Sequence, residues 1–331
     1  MRRPIPAAFL AIDCGTTNTR VWLLREGEVI ARAEVQVGVR ETARTGSPAM
    51  LKGGIDAAIE QAASRAGADI PDVGLAAGMI TSRLGLVDLP HLPAPAGPDD
   101  LADAVERVDY PDHGGLSVYY VRGVRAGEVG CGLDGAPETD IIRGEETEVF
   151  GALQGLSLDS PLLYVHLGSH TKAIQIDAEG RIAGGITTLA GELDHVVRTE
   201  TILSGALPPE RMEPCDESLL DRGAEWARAY GLPRSFFLIR ILDQSGQFEP
   251  HQLGNVFVGA IAGEDLHALR GHGLLDRYDR VVLSGRPRFQ SAWRHFLERG
   301  GLDVTGLTEE QTEHAFLTGL RNIVFRSPDF A

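Results

Sequence analysis

The amino-acid sequence predicts an α/β fold of two domains, each built on the same small core, and three observations carry that prediction. The chain opens on a strand, turn, strand, turn, strand pattern. Residues 9–14 are apolar and β-prone, Gly15 to Asn18 turn the chain, residues 20–24 are β-prone again, Glu26 and Gly27 turn, and residues 29–37 alternate. The same grammar returns at Leu162, with residues 162–167, a turn from Gly168 to Lys172, residues 173–176, a turn at Glu179 and Gly180, and a third strand from Ile182. The spacing also repeats: Gly15 to Gly27 and Gly168 to Gly180 are each twelve positions apart, each second glycine follows a Glu, and both first turns carry two hydroxyl side chains. A chain of 331 residues is long enough for two cores.

The remaining elements fill in around these hairpins. A helix is expected over residues 49–66, a buried strand over 73–77, a Pro-rich loop over 90–98, and a linking helix beginning near Glu145. A boundary near residue 155 then divides the chain into domains 1–155 and 156–331. In the second domain a short helix falls around residues 219–229, while the mixture of Pro and acidic residues over 207–250 gives no clear pattern. Residues 280–284 read as a buried strand stopped by Gly285, followed by an amphipathic helix over 287–298. A last helix starts at the capping-box pattern from Thr308 to Gln311 and stops before Pro328.

Composition narrows the function. Forty-seven acidic residues against 31 basic ones give a net charge of -16, which disfavours nucleic-acid backbones and anionic membranes as partners. No apolar run approaches the length of a membrane span, and the opening apolar run stops at Asp13, too short for a signal peptide. Three dispersed cysteines, Cys14, Cys131 and Cys215, form no CxxC pair and point to a reducing cytoplasm without disulfides. Only two of the basic residues are lysines, Lys52 and Lys172, so a lysine in a polar turn is informative. There is no GxxxxGK[ST] loop, Gly127, Gly130 and Gly132 lack the dinucleotide spacing, and Gly168 between His166 and His170 breaks any shared helical face for zinc.

The two repeated turns carry the chemistry. Glycine lets the backbone bend and a ligand approach, and hydroxyl and backbone N–H groups offer donors to phosphate oxygens. Gly15, Thr16, Thr17 and Asn18 in the first turn, and Gly168, Ser169, His170, Thr171 and Lys172 in the second, are therefore candidates to grip one polyphosphate across a cleft between the domains. Asp13 ends the first strand beside its turn, where a carboxylate is placed to hold Mg2+.

Residues 12–20, Ile-Asp-Cys-Gly-Thr-Thr-Asn-Thr-Arg, resemble the first phosphate motif of the sugar kinase, hexokinase and actin superfamily, and more narrowly that of the 2-dehydro-3-deoxygalactonokinase family. Four further blocks resemble that family. They are Gly78 to Gly85 with Pro95 to Gly97, Ile142 to Thr147 (Ile-Arg-Gly-Glu-Glu-Thr), Thr187 to Leu193, and the second turn. The resemblance implies a two-domain actin-like (ribonuclease H-like, duplicated) fold with an interdomain cleft. It also implies ATP-dependent phosphorylation of 2-dehydro-3-deoxy-D-galactonate to its 6-phosphate, with ATP and Mg2+ required and a homodimer left open. By analogy with related kinases the base is Glu145, then Glu146, then Asp140. The acid group of the substrate falls to Ser82 and Arg83 or to Arg143, and Gly285 matches the adenosine motif. Cys14 and Ala173 stand where the family usually has tryptophan. A kinase of another 2-keto-3-deoxy acid, or a nucleotide-binding sensor without turnover, are the alternatives.

Overall fold

A computed structural model of the chain describes residues 3–111, 115–128, 130–207 and 215–330. In chain order its elements are β1 (Ala8–Cys14), β2 (Thr19–Arg25), β3 (Glu28–Val35), α1 (Val39–Thr45), α2 (Ala49–Ala66), β4 (Val73–Gly78), β5 (Leu92–Pro93), α3 (Pro98–Asp103), β6 (Glu106–Tyr110), β7 (Leu116–Tyr120), β8 (Val124–Ala126), α4 (Gly132–Gly135), β9 (Asp140–Ile142) and α5 (Glu145–Gly155). They continue as β10 (Leu162–Leu167), β11 (Thr171–Ile176), β12 (Ile182–Thr188), α6 (Ala190–Glu200), α7 (Glu217–Tyr230), α8 (Leu232–Ser245), α9 (Pro250–Gly271), β13 (Arg280–Gly285), α10 (Pro287–Arg299), β14 (Asp303–Gly306) and α11 (Glu309–Phe325). No helix among the described residues is long and apolar enough to cross a membrane.

The chain forms two compact units, Met1–Ser160 with Asp177–Gly184 and Gln311–Ala331, and Pro161–Ile176 with Gly185–Glu310. The first holds a six-stranded sheet ordered β3-β2-β1-β4-β7-β6 and a small sheet β5-β8-β9; the second holds a five-stranded sheet ordered β12-β11-β10-β13-β14. Five strands thus repeat in the same order. In each unit an opening hairpin is antiparallel (β1 with β2, β10 with β11), and a later strand pairs parallel beside its first strand (β4 beside β1, β13 beside β10). The parallel strands are buried at nearly every position, as expected where both faces of a sheet are covered. In the first unit α2 packs Leu51, Ile55 and Ile59 into one core with Leu10, Ile12 and Leu23; in the second, α9 packs Val256, Phe257 and Ile261 with Val165, Leu283 and Trp293.

The two units match to the residue at their central strand ends. Cys14 pairs with Gly78 in the first and Leu167 pairs with Gly285 in the second. Both glycines have a positive φ, 91° and 89°. A Cβ would stand 2.6 Å from the Cys14 carbonyl oxygen in one and 2.5 Å from that of Leu167 in the other. Only glycine fits either position without displacing backbone.

The division differs from the sequence reading, since residues 156–160, 177–184 and 311–331 fall in the first unit. The C-terminal helix α11, expected in the second domain, packs in the first unit. Trp22 Nε1 donates to Glu313 at 2.9 Å, and Phe325 meets Phe9 edge to face with centroids 5.2 Å apart. The reason is a close helix crossing: Gly151 of α5 and Gly319 of α11 each lie against the other helix's backbone, at Ala315 and Thr147, with no room for a side chain. Two glycine substitutions separate the effects. Gly319→Ala overpacks this crossing and should cost about 1–3 kcal/mol or more. Gly53→Ala, in α2 with open space around it, should gain about 0.5–1 kcal/mol from helix propensity. Thermal melts check both, and a Gly319→Ala protein as stable as wild type would contradict the crossing.

Candidate active site

In the first unit the turn after β1 is held from below. Gly15 N–H donates to the Asn18 carbonyl at 2.9 Å, and the carbonyls of Gly15 and Thr16 accept from Val39 and Arg40 at the start of α1, at 3.2 and 2.9 Å. Gly38 allows this approach, since a Cβ there would stand 2.5 Å from the Thr16 carbonyl. Thr19 Oγ1 donates to the Val37 carbonyl at 2.7 Å, and Asn18 Nδ2 donates to Glu34 at 3.2 Å. The turn is thereby fixed with Thr16 and Thr17 partly exposed.

Three strand and helix ends converge beside it. Asp13 keeps a quarter of its side chain exposed, with Arg20 Nη1 3.6 Å from its Oδ2. Its Oδ1 faces Gly78, where a Cβ would lie 3.2 Å away, and a Cβ on Gly144 would lie 3.0 Å from the Gly78 Cα. Gly144, at φ 109°, precedes α5. The end of β1, the end of β4 and the start of α5 therefore meet, and Glu145 is the first residue of that helix. Its Oε2 accepts the Arg143 N–H at 3.3 Å.

The two glutamates differ sharply in setting. Glu146 is fully buried; Oε2 accepts the Gly144 N–H at 2.6 Å, while Oε1 has no hydrogen-bond partner among the described residues. Burial, with the neighbouring Glu145 charge second, pushes its pKa up to about 8. Glu146 closes the helix start as a neutral acid, whereas Glu145 is the partly exposed carboxylate of the pair.

The loop after β4 is tied down by buried hydrogen bonds. Arg143 is 8% exposed, and its guanidinium donates to the Thr81 carbonyl, to Thr81 Oγ1 at 2.5 Å and to the Leu89 carbonyl at 3.0 Å, with His91 Nε2 at 3.0 Å. Burial lowers its pKa below that of an ordinary arginine. Arg143 braces the loop, its guanidinium taken up by Thr81, Leu89 and His91. Ser82 is also committed locally: its hydroxyl donates to the Met79 carbonyl at 2.7 Å and accepts from Leu84 N at 3.3 Å. Arg83, between these anchored residues, is exposed.

The second unit repeats the turn with different chemistry. Gly168 N–H donates to the His170 carbonyl at 3.2 Å, and Gly191 at the start of α6 lies against the carbonyls of Gly168 and Ser169. Where Asp13 pairs across the sheet with Arg20 and Ala77, the matching position is His166, paired with Lys172 and Ser284. His166 Nδ1 is 3.2 Å from Ser284 Oγ. Lys172 is buried, and its Nζ donates to Thr187 Oγ1 at 3.3 Å. His170 Nε2 is 3.4 Å from Glu192. The Thr171 hydroxyl donates to Asp265, which also accepts from Thr188 Oγ1 at 2.8 Å, so Thr171 supports the turn and does not face outward. Burial pushes the Asp265 pKa up to about 6. Asp265 was not singled out in the sequence; its signal is a carboxylate inside the apolar run of α9. The Thr187 to Leu193 block is thus explained as the support of the second turn. Gly285, which adjoins Leu167, has its carbonyl capped by Gln290 Nε2 at 2.9 Å.

The chain resembles known proteins along nearly its whole length. A family model described as 2-keto-3-deoxy-galactonokinase matches residues 13–323. The 2-dehydro-3-deoxygalactonokinase of Escherichia coli K12 is 24% identical over 318 residues, spanning 96% of this chain and 97% of that protein. A protein of Rhizobium meliloti strain 1021, named as a probable 2-dehydro-3-deoxygalactonokinase, is 26% identical over 325 residues, spanning 96% and 97%. Among solved structures, a protein of Sinorhizobium meliloti carrying the same provisional name aligns with a TM-score of 0.69 at 24% identity, covering 96% of this chain and 98% of that one, a likeness of fold.

Glu146 makes stability depend on pH with a definite sign. In the unfolded chain it ionises near 4.5, and in the folded chain only near 8, so between these values the folded state holds the extra proton and this group's contribution to stability falls as pH rises. Glu146→Gln removes that fall. Relative to wild type, the variant should gain about 2 kcal/mol or more between pH 5 and pH 8 in denaturant titrations. Parallel pH profiles would show that Glu146 ionises alike in both states.

Proposed function

The chain belongs to the 2-keto-3-deoxy-galactonokinase family, and we propose that it transfers the γ-phosphoryl group of ATP to the 6-hydroxyl of 2-dehydro-3-deoxy-D-galactonate. One observation carries the residue roles: Asp13, the loop that starts at Gly78, and Glu145 converge through the backbone contact of Gly78 with Gly144. Phosphoryl transfer asks a protein chiefly to position two substrates and to neutralise charge. In this reading Glu145, the exposed member of the glutamate pair, accepts the proton of the sugar hydroxyl as the phosphoryl group arrives. Arg83 pairs with the substrate carboxylate through its planar fork of donors, with Ser82 holding the turn that presents it and Arg143 bracing the loop from beneath. The first turn offers Thr16 and Thr17, and the second Gly168 and Ser169, to phosphate oxygens. Lys172 lends positive charge to the second turn, with His170 beside it, and Gly285 stands at the position of the adenosine motif.

The donor set suits Mg2+. Among the described residues there is no cluster of three or more His, Cys, Asp or Glu side chains to encage a metal. A single carboxylate, Asp13, with phosphate oxygens and water completing the shell is the pattern of a hard ion that dehydrates reluctantly. Bound there, the ion would offset charge on the phosphoryl oxygens.

ADP release coupled to a reporter, measured over a panel of 2-keto-3-deoxy acids, tests the substrate. The D-galactonate derivative should give the highest kcat/KM; a higher value on another acid would reassign the substrate, and no turnover on any acid by a protein that binds ATP would leave a sensor. In the same assay Glu145→Gln should lower kcat about 100-fold or more with substrate binding retained. Arg83→Ala should raise KM for the acid about tenfold with KM for ATP unchanged. A large loss in Glu146→Gln alone would move the base one residue along the helix.

A further inference from the structure

Next to the second turn lies a charge cluster that the roles above do not use. Asp194, on α6, is 1% exposed and faces three guanidinium groups. Arg198 Nε donates to its Oδ1 at 2.7 Å, Arg288 Nη2 donates to Oδ2, and Arg286 Nη1 stands 3.7 Å from the same oxygen. Among the described residues one carboxylate thus faces three guanidinium groups. Burial and the neighbouring arginines hold the Arg288 pKa down to about 10, so it still carries its charge at neutral pH.

The cluster is built from the same elements as the turn. The backbone N–H of Arg286 donates to the Leu167 carbonyl at 2.9 Å, one residue before Gly168. On α6, Gly191 lies against the carbonyls of Gly168 and Ser169, three residues ahead of Asp194. Arg286 directly follows Gly285, and Pro287 then opens α10, a helix of 13 residues whose first amides add to the positive field. The three arginines are not equivalent. Arg198 is almost fully buried and Arg288 largely so, and both sit at hydrogen-bonding distance from Asp194; Arg286 is 36% exposed and only loosely paired.

We propose that Arg286 is a phosphate-binding residue for the nucleoside triphosphate, exchanging its loose pairing with Asp194 for the phosphate oxygens, while Asp194 stays paired with Arg198 and Arg288. The inference rests on the reading that the second turn holds the nucleotide, and it adds a cation that neither turn supplies. Its signature is a dependence on phosphate charge and not on the base.

ATP, inorganic tripolyphosphate and adenosine are titrated calorimetrically into wild type and Arg286→Ala, with Arg286→Gln as a second variant that keeps more of the side-chain volume. The expected result is a Kd about tenfold weaker for ATP and for tripolyphosphate in both variants. Adenosine affinity, KM for the sugar acid and melting temperature should stay unchanged, Arg286→Lys should recover part of the loss, and added salt should narrow the gap. Unchanged ATP and tripolyphosphate binding in either folded variant overturns the proposal, and so does an equal loss for adenosine, which would mark a role in shape alone. A wild type that binds none of the three probes overturns the nucleotide reading itself, a result distinct from either.

Discussion

The contact of backbone with backbone at Gly78 positions the candidate site residues of the first unit. Its paired residue is Cys14, and its positive φ turns the chain over the Cys14 carbonyl, where any side chain would collide. Three things follow from that one approach. Asp13 is brought against the start of the loop that carries Arg83; Gly144 is able to reach the Gly78 Cα; and α5 begins there with Glu145. The helix is held from its far side by α11 through Gly151 and Gly319. Shifts in either contact would move Glu145 relative to Asp13, and a misplacement of about 1 Å costs a reaction of this kind on the order of 100-fold.

Duplication reuses this geometry and changes its charge. Gly285 reproduces Gly78 against Leu167, and Gly191 supports the second turn as Gly38 supports the first. Yet the row across the first sheet reads Ala77, Asp13, Arg20, Glu34, and the row across the second reads Ser284, His166, Lys172 in matching register. Over the three positions that the two rows share, the first carries the carboxylate of Asp13 and the second carries none. In the proposed reaction that asymmetry divides the labour: the carboxylate side suits a hard cation and the side of histidine, lysine and arginine suits phosphate oxygens.

Much of this is legible in the sequence because it is local. The paired hairpins, α2 over residues 49–66, the strand leading to Gly78 and the start of α5 at Glu145 all follow from periodicity, turn residues and caps. What is not legible depends on partners distant in the chain. Nothing about Arg143 announces that its guanidinium is committed to Thr81 and Leu89, or that Thr171 turns inward to Asp265. The stretch from 207 to 250 resists reading because α7 and α9 pack through Gly223 and Gly259, with each glycine against the other helix's backbone. Such glycines look like helix breakers, and α9 is buried on so many sides that its apolar pattern loses its period. The C-terminal helix is misassigned for the same reason: Gly319 looks weak in isolation and is decisive at the crossing.

If matching glycine contacts anchor two different substrates, the sugar acid at Gly78 and the nucleotide at Gly285, calorimetric titration of each substrate into folded Gly78→Ala and Gly285→Ala proteins separates them. Gly78→Ala should lose affinity for the acid while ATP still binds, and Gly285→Ala should lose affinity for ATP while the acid still binds. Loss of both substrates in each variant, or of neither, would overturn this division.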